Sequence, residues 1–199
     1  DLVRTICKSR VYQLSSQAND YNQNDQQNFS HYYPKRLNAE VLLDAIDELT
    51  MSKSRFQGMP NGTRAVQLPD NAFDSYFLTV FGRPNSSSAC ECERSGDASL
   101  AQSLHLINSK DIQSKLTSGS GRATKLANDK DKTDEEKIEE LYYAAFSRAP
   151  KEGELKMAVD YVNREIEDDK GVKKPVAKKE AYEDVVWALF NTKEFLFNL

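Results

Sequence analysis

TDEEKIEELYYAAFSRAPKEGELKMAVDYVNREI, residues 133–166, reads as two helices written one after the other. Thr133 followed by Glu136 has the form of a capping box, in which the hydroxyl takes a backbone N–H at the helix start and the carboxylate reaches back to the cap. Asp134 and Glu135 add negative charge where the helix dipole favours it. The mixed charge run 129–140 is therefore the solvated beginning of a helix rather than a binding tail. Pro150 stands just ahead of a second helix start. From Glu152 to Ile166, the residues Leu155, Ala158, Val159, Val162 and Ile166 fall on one helical face.

The same periodicity extends outward on both sides. A last helix is expected from about Lys178 through VVWALFNTKEFLFNL, with Trp187, the only tryptophan, as a core anchor. The basic run Lys170–Lys179, interrupted by Pro175, reads as a solvated loop before it. Towards the N-terminus, SGSGR at 118–122 breaks the pattern and marks a possible subdomain boundary near 118–132. Asp111–Leu116 is a helical piece. LAQSLHLINS (100–109), capped by Asp97 or Ser99, is a helix with Leu100, Ala101, Leu104 and Ile107 inward and His105 on its surface. FDSYFLTVFGRP (73–84) is a short helix ended by Gly82 and Pro84. Gly58, Pro60, Gly62 and Pro69 break 51–71. Asn38 caps a helix to Thr50 with Leu42, Leu43, Ala45, Ile46 and Leu49 as its stripe. Residues 17–34 are a long polar loop carrying Tyr21, Phe29, His31, Tyr32 and Tyr33. Leu2–Leu14 is a helix whose apolar face includes Cys7. The expectation is an all-α fold, a compact bundle of about six or seven helices with long irregular loops. It forms a single helical domain over 1–199, cut from the C-terminal part of a larger protein.

Composition narrows the function. A net charge of -4 and a pI near 5.4 argue against nucleic acid as a partner, since phosphate backbones are held by clustered Lys and Arg. No apolar run approaches the roughly 20 residues that span a bilayer. Glycine motifs that cradle phosphate are missing, and the two histidines, His31 and His105, lie near no obvious nucleophile. No catalytic residues and no cofactor are expected.

ACECER (89–94) leaves several readings open. In an extended segment Cys90 and Cys92 face one side and could approach a soft metal ion, with Cys7, His105 or a carboxylate completing the set. A direct Cys90–Cys92 disulfide would be strained and redox-labile. A bridge from Cys7 to Cys90 or Cys92 would anchor the first helix. Reduced thiols in a packed loop are the fourth reading, with Arg83, Glu93, Arg94 and Gln102 holding the chain by charge-assisted bonds. The aromatic residues of 17–34 either pin that loop to the body or form a sugar-stacking or partner surface.

RTICKSRVYQLSS (4–16), NFSHYYPKRLNAEVLLDAI (28–46), FGRPNSSSACECERSGDASLAQSLHLINS (81–109), LYYAAFSRAPKEGEL (141–155) and DVVWALFNTKEFLFN (184–198), in that order, resemble a C-terminal domain of unknown function, family 1553. This domain occurs in large surface proteins of planctomycetes and related bacteria, often together with a planctomycete-type cytochrome c domain. The resemblance implies an extracytoplasmic protein, upstream domains of the same polypeptide as partners, and a link to polysaccharide breakdown. It implies no covalent haem in this chain, because the Cys-x-x-Cys-His of the companion domain is missing here. An oxidising compartment would favour the Cys7 bridge. The function expected is a non-catalytic structural or interaction module, with a Cys90/Cys92 redox or metal module and a carbohydrate-binding loop as alternatives.

Overall fold

Residues 1–69, 73–84, 100–167, 171 and 173–198 are described by the computed structural model, without the side chains of residues 100, 103 and 104. In chain order the elements are α1 (Leu2–Cys7), β1 (Lys35–Arg36), α2 (Ala39–Thr50), a 3-10 turn (Ala65–Gln67), α3 (Tyr76–Val80), α4 (Leu100–Asn108), α5 (Lys110–Leu116) and α6 (Arg122–Asn128). They continue with α7 (Asp134–Phe146), α8 (Glu152–Val162), β2 (Glu165–Glu167), β3 (Lys173–Pro175), α9 (Lys178–Phe190), α10 (Lys193–Leu196) and β4 (Phe197–Asn198). The fold is mostly helical. The described residues also form two small antiparallel sheets, β1–β4 and β2–β3, so the all-α expectation holds only in outline.

The capping box at α7 forms as its sequence dictates. Glu136 N–H donates to Thr133 Oγ1 at 3.2 Å, and Thr133 N–H donates to Glu136 Oε2 at 2.7 Å. α2 begins after Asn38, although the Asn38 side chain makes no capping bond. It buries Leu42, Leu43, Ile46 and Leu49. Ser75 caps α3 by accepting from Leu78 N–H, and Gly82 follows at φ 85°, a left-handed conformation that glycine adopts without steric cost.

Several expectations are corrected. α1 ends at Cys7 instead of Leu14 and buries no residue. Leu2, Val3, Ile6 and Cys7 are exposed, so among the described residues that face is left uncovered. α8 stops at Val162: residues 165–167 leave as β2, with Ile166 opposite Lys174, and Ile166 is exposed. Part of the basic run is thus a strand, β3, although its side chains remain in solvent. On α4 Gln102 and Leu106 are buried while Ala101 and Ile107 are exposed, against the expectation for those two; the side chains of Leu100 and Leu104 lie outside the described residues. Trp187 is only partly buried, and the anchors of α9 are Tyr182 and Phe190, both fully buried.

The hydrophobic cluster draws on α2, α3, α4, α5, α6, α7, α8, α9 and α10. The broadest contact between described elements is that of α6 with α9; α6 buries Ala123 and Leu126, and α9 buries Ala181, Val185 and Leu189 among others. Fully burying one large apolar side chain stabilises the fold by about 1.5–3 kcal/mol. Leu42, Ile46, Leu49, Ile138, Leu141, Tyr182 and Phe190 are therefore its main supports.

Candidate functional site

The polar chemistry inside the protein gathers around α2. Asp47 is on the same face as Leu43 and Thr50, and is buried. Lys115, three residues after Ile112 on α5, meets it with an Nζ–Oδ1 separation of 2.6 Å. The same Nζ donates to Ser54 Oγ at 2.9 Å and to the Ser52 carbonyl at 3.2 Å. Asp47 also accepts from the Ser54 backbone N–H at 2.6 Å and the Ser54 hydroxyl at 3.0 Å. A buried ion pair is tolerable only when its remaining donors and acceptors are filled, and here the 52–54 turn fills them.

Asp44 does the same for the next segment. It accepts from the backbone N–H groups of Ala65 (2.7 Å) and Val66 (3.3 Å) at the start of the 3-10 turn, with Arg64 Nε 3.3 Å away. In the last turn of α2, Arg122 Nε and Nη2 donate to the carbonyls of Leu49 (2.8 Å) and Glu48 (3.2 Å), and Nη1 pairs with Glu140 at 3.0 Å. A cation is favourable beside these last-turn carbonyls. Further out, Arg148 is held by Glu154 and Glu194 (2.6–3.0 Å) and lies over the rings of Tyr142 and Phe146. Its bond is the main reason Glu154 is brought down to about 2. Burial pushes the Asp134 carboxyl up, but bonds from Lys178, Tyr182 and Asn163 outweigh it and lower it to about 2.

Of the residues singled out in the sequence, Gln102, Arg83 and His105 lie around α3 and α4. Gln102 Nε2 donates to the Val80 carbonyl at 3.0 Å, and its Oε1 accepts from Arg36 Nη1. Arg36 Nη2 donates to the Phe81 carbonyl at 3.1 Å, with the guanidinium over the Phe81 ring. Arg83 Nη2 donates to the Phe73 carbonyl at 3.0 Å. His105 packs against the rings of Tyr76, Phe77 and Phe81 at 5.1, 5.6 and 6.3 Å, and its Nε2 is buried with no hydrogen-bond partner among the described residues. Burial lowers its pKa below the usual value against the pull of Asp111, so the ring is neutral at pH 7. Cys90, Cys92, Glu93 and Arg94 lie outside the described residues, and with them both the expected metal set and the bridge to Cys7. Among the described residues no group of three or more His, Cys, Asp and Glu is placed to hold a metal ion. Nor is any described helix long and apolar enough to cross a membrane.

Beside the Lys115–Asp47 pair a cavity of about 420 Å³ opens between the 52–56 turn, Asp74–Phe77 and α5. Its walls carry Arg55, Asp74 and Asp111, and Phe56, Phe77 and Ile112 form apolar parts of its lining.

A family profile described as "Protein of unknown function (DUF1553)" matches residues 1–162. The chain belongs to this family. No curated protein and no solved structure matches it. The DUF1553 match holds α2, the Lys115–Asp47 pair and the Arg36–Gln102 contact, whereas α9, α10 and β4, which close the core, lie beyond it.

Sequence reading missed Asp44, Asp47, Lys115, Arg36 and Arg122. A signal for one existed: Asp47 stands four residues after Leu43 and three before Thr50, a polar residue in phase with an apolar stripe.

Proposed function

We propose that this chain is a non-catalytic helical bundle that serves as a structural or interaction module of a larger exported bacterial protein. One observation carries the reading: buried polar side chains are engaged in joining elements. Lys115 and Asp47 tie α5 and the 52–54 turn to α2, Asp44 ties the 3-10 turn to it, and Gln102 ties α4 to α3. Lys137 of α7 lies over the Tyr182 ring of α9. Membership of the family and the resemblance support the finer picture. In it the parent is a planctomycete-type surface protein, its upstream domains include a cytochrome c-type domain, and its work is linked to polysaccharide breakdown.

Calorimetric titration of this chain into the remaining part of its parent polypeptide tests the reading. Saturable binding is expected; a flat titration with both parts folded would overturn it.

A second reading, carbohydrate binding by 17–34, is favoured by one feature. Asp25 accepts from the N–H groups of Gln27, Asn28 and Ser30 and from the Ser30 hydroxyl, which chiefly holds its carboxyl well below the ordinary range. The loop it organises leaves Tyr21 fully exposed and Phe29 at 64%. On that reading, glycan-induced shifts of the Tyr21 ring resonances are lost in Phe29→Ala. A spectrum unchanged across a broad glycan panel would remove it.

A further inference from the structure

The C-terminal residues do more than end the chain. β4 pairs antiparallel with β1, Lys35 opposite Asn198 and Arg36 opposite Phe197, and Leu37 N–H donates to the Leu196 carbonyl at 2.9 Å. The segment is fastened at its other side too. Thr192 caps α10, Phe195 is buried, and Glu194 takes both Nε and Nη2 of Arg148 at 2.6 and 2.7 Å. The strand it fixes, β1, carries Arg36.

From that pair of strands Arg36 reaches both α3 and α4. Its two Nη groups go to the Phe81 carbonyl, at the C-terminal end of α3, and to Gln102 Oε1 on α4, while Gln102 Nε2 takes the Val80 carbonyl. A five-residue helix such as α3 has little stability of its own and depends on such partners. The open carbonyls at its end are filled by one guanidinium and one amide from two other elements.

We propose that Thr192–Asn198 is a clip: it sets the position of β1, and through Arg36 as a positioning residue it holds α3 against α4. The clip lies beyond the family-matched residues, yet it acts on elements within them. α3 and α4 are the elements from which the chain enters and leaves the cysteine-bearing stretch at Pro84 and Leu100.

Hydrogen exchange on the full chain separates this from simple weakening of the fold. In Glu194→Ala, amides of 35–37, 77–83 and 102–108 are expected to exchange about tenfold faster, as for loss of the two-bonded pair with the partly exposed Arg148. Amides of α6 and α9 should keep their rates. In Arg36→Lys, which keeps the charge but not the two-pronged geometry, the same acceleration is expected in 77–83 and 102–108 alone, with Leu37 still protected. Unchanged rates in 77–83 and 102–108 in either variant would overturn the clip. So would acceleration shared equally by α6 and α9.

Discussion

Replacing Lys115 by Met removes the cation and leaves the hydrophobic stem. The change deletes three donations, to Asp47 at 2.6 Å, Ser54 Oγ at 2.9 Å and the Ser52 carbonyl at 3.2 Å. It also leaves the Asp47 carboxylate, whose side chain is 6% exposed, without its counter-charge. Breaking a buried pair from one side costs about 3–5 kcal/mol. Because Asp47 keeps the Ser54 N–H at 2.6 Å, the lower end, about 3 kcal/mol, is expected. In a chain of this size that corresponds to a fall in Tm of about 6–12 °C. Urea unfolding gives the free energies directly. The double variant Asp47→Asn with Lys115→Met no longer buries an unpaired charge, and should recover about 1–2 kcal/mol of the loss. A Lys115→Met protein within about 0.5 kcal/mol of the parent would refute the reasoning. So would a double variant whose loss equals the sum of the two single ones, since contacting residues should couple.

Three further outcomes follow from the same structure. A Cβ on Gly121 would meet the Thr50 carbonyl oxygen at 3.2 Å and that of Ser118 at 3.1 Å, so Gly121→Ala should cost about 1–3 kcal/mol by urea unfolding, whereas Gly119→Ala, with nothing within 4 Å, should cost less. A chain ending at Asn163 loses Tyr182, Val185, Val186, Leu189 and Phe190, at about 1.5–3 kcal/mol each, against a typical total stability of about 5–15 kcal/mol; it should show no cooperative thermal transition by circular dichroism. Asp134, held at about 2, contributes stability that is complete above the unfolded value near 3.9 and is lost as pH falls towards 2. Unfolding free energy should therefore drop between about pH 4 and 2, and the drop should be smaller in Asp134→Asn.

Helices that announce themselves locally were the legible ones. α7 carries its own capping box, and α2 carries a stripe whose members all meet partners. α1 shows the limit of periodicity: Leu2, Val3 and Ile6 have the spacing of a buried face, but burial needs a covering element, and among the described residues all three stay exposed. α4 is the converse. Gln102 enters the interior because Arg36 and the Val80 carbonyl satisfy its amide, a compensation from remote segments that no local pattern records. α6, RATKLAN, is short and weakly apolar, and it is held by α9 and α2. The four strands among the described residues are two or three residues long, too short for alternation, and exist through pairing. Of the residues singled out around ACECER, Arg83, Gln102 and His105 are the ones among the described residues. Arg83 and Gln102 donate to backbone carbonyls of Phe73 and Val80, and His105 is a neutral ring packed among aromatics.

The most direct test of the module reading is calorimetric unfolding of the whole parent polypeptide beside this chain and the remainder made separately. The account predicts that this chain melts at a higher temperature inside the parent than alone, because docking adds its binding free energy to the folded state. Superimposable transitions, with the parent's trace equal to the sum of its parts, would contradict it.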